Sequence, residues 1–115
     1  MDDHPLIQAL LTIIDASDAL LLHTELNDLQ RKFAHTMFTS ANEMRDLLIV
    51  IPELTPQTVS AVFGYEMRDS LANVVGYAEV LLEESEGTLT PPQREMAHAI
   101  WGAAQTIESY LTQGD

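Results

Sequence analysis

The sequence predicts an all-α protein, a helical hairpin preceded by one long or two shorter helices, and three observations carry that prediction. Apolar residues recur at spacings of three and four along most of the chain. Pro5, Pro52, Pro56, Pro91 and Pro92 stand where helices start or stop. No stretch shows the period-two alternation between turns that marks a strand.

The elements follow in order. Ile7, Leu10, Ile14 and Leu21 form a first stripe, weakened at Asp15-Ala16-Ser17-Asp18. Leu22, Leu26, Leu29, Phe33, Met37, Ala41, Met44, Leu48 and Ile51 form a second, with a period close to a heptad seam. Thr24-Glu25 can cap a new helix between them. Two options stay open: one helix over about 6–51, or two helices broken within 15–24. Pro52 ends this segment.

Thr55 then reads as an N-cap and Pro56 as the first helical residue. The stripe that follows is Val59, Phe63, Met67, Leu71, Val74, Ala78 and Leu81, with Gly87 as its stop. The run Glu83-Glu84-Ser85-Glu86 opposes the macrodipole there, so packing is expected to hold that helix end. Thr90-Pro91-Pro92-Gln93 has the form of a capping box. The last stripe is Ala97, Ile100 with Trp101, Ala104, Ile107 and Leu111. Residues 1–55 are thus an N-terminal helical segment, and 56–115 hold an antiparallel hairpin over 56–113. Glu-Met-Arg-Asp occurs twice, at 43–46 and 66–69, and Leu-Thr-Pro at 54–56 and 89–91. Offsets of 23 and 35 define no repeat, so the echoes read as chance or shared helix grammar.

Composition narrows the function. With 115 residues the chain is one small domain. Five Lys and Arg against 18 Asp and Glu give a net charge of −13, and 46% hydrophobic residues supply a core. A chain with one lysine lacks the basic footprint for nucleic acid or for an anionic membrane. Zero cysteines exclude disulfides and thiolate chemistry. Met1-Asp2-Asp3-His4 has no basic leader, and Leu6–Leu22 reads as too short and too polar to cross a bilayer. A cytoplasmic protein is expected.

Residues for chemistry are few. His4, His23, His35 and His98 include no pair spaced i,i+3 or i,i+4, so no helix face offers a metal two imidazoles. The glycines form no phosphate loop, and Glu83–Glu86 lacks the alternating ligands of a calcium loop. No metal and no cofactor is expected. Met37, Met44, Met67 and Met96 read as core filling, and Tyr77 and Trp101 as bundle residues with one polar edge.

The hairpin is more specific. Residues 64–82 run Gly-Tyr-Glu-Met-Arg-Asp-Ser-Leu-Ala-Asn-Val-Val-Gly-Tyr-Ala-Glu-Val-Leu-Leu, and residues 89–95 run Leu-Thr-Pro-Pro-Gln-Arg-Glu. These two stretches resemble the dimerisation and histidine-phosphotransfer domain of sensor histidine kinases. That family carries Ser-His-Glu-Leu-Arg-Thr-Pro-Leu on its first helix and commonly opens its second with Leu-Thr-Pro-x-Gln-Arg-Glu. Glu66, Met67, Arg68, Leu71, Gly76, Tyr77, Glu79, Leu81 and Leu82 fit the first helix.

The departures shape the expectation. The family's phosphoacceptor histidine falls on Tyr65, and a phenol has no nucleophilic ring nitrogen. Asp69 stands where Thr or Asn is common, and Ser70 where the family has proline. The resemblance therefore implies a non-catalytic dimerisation or adaptor module of two-component signalling, with no enzymatic activity. Its partner would be a response-regulator receiver domain or a histidine kinase, contacted through Glu66, Arg68, Asp69 and Asn73. A homodimer is the favoured assembly, with Met67, Leu71, Val74, Ala78, Leu81, Ile100, Ala104 and Ile107 in a shared core. In the alternative assembly the N-terminal helices fold onto their own hairpin as a monomeric bundle. Two other functions stay open: phosphotransfer through His98 or His35, and a helical scaffold unrelated to signalling.

Overall fold

In the computed structural model, which describes residues 4–115, four helices follow one another: α1 (Pro5–His23), α2 (Asp28–Leu48), α3 (Pro56–Glu83) and α4 (Pro91–Gln113). Each packs on its neighbours in sequence and α4 closes back onto α1, while α1 and α3, like α2 and α4, sit on the diagonals. This is an up-down-up-down four-helix bundle, 41 × 23 × 18 Å, with no strand among the described residues. Met1, Asp2 and Asp3, the start of the leader reading, lie outside the described residues.

The N-terminal segment is two helices, not one. Thr24 is extended and ends α1, and Asn27 caps α2, three residues beyond the Thr24-Glu25 cap read from sequence. The break resets the helical phase, which corrects both N-terminal stripes. Leu22 and Leu29 are exposed, while Leu20, Gln30, Ala34 and Met37 point inward. In α1 the buried positions are Leu6, Ala9, Leu10, Ile13, Ile14, Ser17 and Leu20, with Ile7 and Leu21 only half-buried. An 18-residue window of α1 has mean hydropathy 1.6, so by length and composition alone the helix could cross a membrane, a test the sequence reading expected it to fail and one that a core helix also passes. Here it forms one side of the bundle core.

All four helices feed one core. Met67, Leu71, Val74, Ala78, Leu81, Ile100, Ala104 and Ile107 are all buried within this one chain. Their burial requires no second copy, because α1 and α2 cover the hairpin's apolar stripe.

Polar side chains tie the two hairpins, α1–α2 and α3–α4, together at both ends of the bundle. At one end, Gln30 and Gln93 each do two jobs. The Gln30 side-chain oxygen accepts the Asn27 N–H at 3.0 Å, closing the capping box of α2, and its amide group points to the Thr88 carbonyl at a long 3.5 Å. Gln93 accepts the Thr90 N–H at 2.8 Å, closing the box of α4, and donates to the Glu25 carbonyl at 2.8 Å. Both glutamines are buried, at 4% and 2% exposure, so an unmade bond there would be costly. Asn27 adds a bond to the Glu86 carbonyl at 2.7 Å. Gly87 makes this approach possible: at φ +137° it adopts a backbone few other residues accept, and a Cβ there would lie 2.5 Å from the Asn27 amide nitrogen. At the other end, His4 caps α1. Its Nδ1 accepts the Leu6 N–H at 3.1 Å, which leaves Nε2 as the donor to the Leu54 carbonyl at 3.1 Å.

The acidic end of α3 is resolved by a change of direction. The helix stops at Glu83, before Gly87, and Glu84 turns into the left-handed region at φ 56°. Its carboxylate accepts the Leu89 N–H at 2.7 Å and pairs with Arg94 at 3.0 Å. These two partners, the backbone bond first, hold the Glu84 carboxyl below the usual 4.5.

Two predictions follow from the loops. Gln93→Glu keeps the cap acceptor but turns a carboxylate toward the Glu25 carbonyl, and should cost about 1–3 kcal/mol in denaturant unfolding; unchanged stability would contradict the double role. Wild type should be more stable than Glu84→Gln near neutral pH. Because the folded value is depressed, that margin should shrink as pH falls below 4.5 and vanish below the lowered value. Thermal melts across the acid range check the sign.

Candidate functional site

Tyr65 stands at the head of a groove between α2 and α3. Local sequence sets its position. Thr55 and Thr58 close a capping box that starts α3. The helix then bends at Phe63, with φ −130° and ψ 21°, beside Gly64. The bend shifts the buried face by one residue, so Gly64 rather than Phe63 carries the inward stripe from Val59 to Met67, and Phe63 is only half-buried. Two residues past the bend, Tyr65 is 82% exposed.

The groove encloses about 410 Å³ and is lined by Glu43, Asp46 and Leu47 of α2 and by Tyr65, Glu66, Asp69 and Ser70 of α3. Asn73, also exposed, lies one turn further along the same stripe of α3. Arg68 does not join them. It crosses the opposite side of α3 over Gly64, where a Cβ would come within 3.3 Å of its guanidinium. There one guanidinium nitrogen, Nη2, donates to both Asp115 carboxylate oxygens, at 2.7 and 2.8 Å. The four residues expected to bind a partner therefore divide: Glu66, Asp69 and Asn73 on one side, Arg68 on the other.

The α2 half of the groove was not found from sequence. Glu43-Met44-Arg45-Asp46 repeats the residues of Glu66-Met67-Arg68-Asp69. In both copies the methionine is fully buried, the arginine is exposed, and the two acids line this groove. Because α2 and α3 run antiparallel, Glu43 faces the level of Asp69 and Asp46 that of Glu66.

The groove is acidic. Among the described residues no three His, Asp or Glu groups converge to hold an ion. His23, His35 and His98 are exposed. His35 shares a separate groove on α1 and α2 with Arg31 and Lys32. Met37, Met44 and Met67 fill the core, Met96 is half-buried, and Tyr77 stacks on Phe33 at 4.9 Å.

The chain matches no protein-family model, and neither curated proteins nor solved structures yield a match.

The exposure of Tyr65 is directly testable. Tyr77 and Tyr110 are half-buried, and burial pushes the Tyr110 phenol above its usual value. Tetranitromethane attacks exposed phenolate, so peptide mapping should find Tyr65 nitrated first. Earlier nitration of Tyr77 or Tyr110 would contradict the site geometry.

Proposed function

We propose that this chain is a non-catalytic helical adaptor of two-component signalling, which binds a receiver domain or a histidine kinase through the α2–α3 groove. The observation that carries the reading is the setting of Tyr65. It stands where the resembling family has its phosphoacceptor, it is 82% exposed, and Glu66, Asp69 and Ser70 lie beside it on one surface. A phenol there cannot form a phosphoramidate, but it suits recognition: a broad apolar ring with a polar tip, at low conformational cost. A rigid helical face supports docking without rearrangement.

Binding assays against purified receiver domains and histidine kinases from the same organism test this. A receiver or kinase should bind wild type, and Tyr65→Ala should weaken the complex by about 1–2 kcal/mol. Tyr65→His should accept phosphate from a phosphorylated receiver that binds it, whereas wild type should not. Failure of every receiver and kinase to bind would overturn the signalling assignment and leave the scaffold reading.

A further inference from the structure

The α2–α3 groove is lined by four acids with Leu47 and Tyr65, and further exposed apolar residues stand close in sequence to both of its walls. Among the described residues seven large apolar side chains are exposed, and four of them, Ile49, Val50, Val62 and Tyr65, gather at this end of α2 and α3. Val62 stands just before the Phe63 bend and Tyr65 just after it, and Ile49 and Val50 follow directly on the end of α2 at Leu48. Their exposures, 76% for Ile49, 67% for Val50, 55% for Val62 and 82% for Tyr65, leave them available for contact. The two Glu-Met-Arg-Asp motifs set Glu43 and Asp46 against Glu66 and Asp69 along the same groove.

From this juxtaposition we propose that the groove docks a basic amphipathic helix of a partner protein, its apolar face on Val50, Val62 and Tyr65 and its Lys or Arg side chains against the two acidic pairs. Two features select this occupant. The carboxylates are spread along the groove and converge on no single point, which fits several separated cations better than one metal ion. Taken together, the acidic and apolar residues span positions 43–50 and 62–69, about 12 Å of helix rise on each side, the length of a helix of about two turns. A chain with net charge −13 also steers a basic partner toward it. The inference rests on the binding role proposed above and specifies the chemistry of what is bound.

The probe is a labelled peptide of about 18 residues, long enough to form a helix, with leucine at i, i+3, i+4 and i+7 and lysine elsewhere. Its counterpart replaces every lysine with glutamate. Fluorescence anisotropy with the full chain should show binding of the lysine peptide, weakened by salt, and none of the glutamate peptide. Glu66→Lys with Asp69→Lys should weaken binding by about tenfold or more. Glu79→Lys with Glu95→Lys makes the same change in net charge away from the groove and should weaken it by less than about twofold. Val62→Ser with Tyr65→Ser should weaken binding by about tenfold while leaving the salt dependence in place. Equal loss from the groove and remote charge pairs, or no binding of the lysine peptide, would overturn the inference. If the peptide binds as described but no receiver or kinase does, the groove's chemistry stands and the signalling assignment fails. A receiver or kinase that survives the Glu66 and Asp69 reversals, and is not displaced by the peptide, would sink this inference and keep the adaptor.

Discussion

The arrangement depends on side chains that cap one helix while gripping the other hairpin. Gln30 and Gln93 do this at one end of the bundle, and at the other His4 caps α1 while donating to Leu54, in the linker that leads into α3. Each needs an acceptor and a donor in one side chain. The amide of glutamine provides both without charge, and neutral imidazole does the same. Buried and satisfied, such groups add little net energy, but misregistered they cost their full desolvation. They therefore penalise any sliding of α1–α2 against α3–α4. The apolar core of Leu, Ile, Val, Ala and three Met is non-directional and tolerates volume-conserving changes, so it is less selective of register than these bonds.

That fixed register produces the candidate site. The two Glu-Met-Arg-Asp motifs lie on different hairpins and meet only if α2 and α3 are held at one relative height. Their methionines then enter the core together, and four acids line one groove. On the far side of α3, Arg68 leaves the groove to grip Asp115. The groove is thus acidic with no arginine of its own motif reaching in to neutralise it. Confining the repulsion of like charges to one exposed surface costs modestly in water, and it leaves a field that a basic partner relieves.

Much of the fold was legible in sequence because its signals are local. Thr55, Thr90 and Gln93 cap helices where proline and capping-box spacing place them. The stripes of α3 and α4 hold from Met67 onward, save that Trp101, read beside Ile100, is exposed one step round the helix from the buried face. What was missed needed information beyond a helical turn. Leu26 and Leu29 continue an apolar spacing across the α1–α2 break, hiding the Asn27 cap. The bend at Phe63 moves one buried position, a shift set by Gly64 beneath Arg68. Glu84 takes a left-handed turn usually left to glycine because its carboxylate gains Leu89 and Arg94. The α2 half of the groove could not be read at all, since no local rule says which faces of two helices meet.

The central claim is that one chain closes its own core and leaves the Tyr65 face free. An isotope-filtered NOE experiment on a mixture of labelled and unlabelled protein tests it most directly. The methyl groups of Met67, Leu71, Ile100 and Ile107 should show contacts to α1 and α2 within one molecule and none between molecules. Strong intermolecular contacts among those same methyls would show that the hairpin builds its core with a second copy, and would contradict this account.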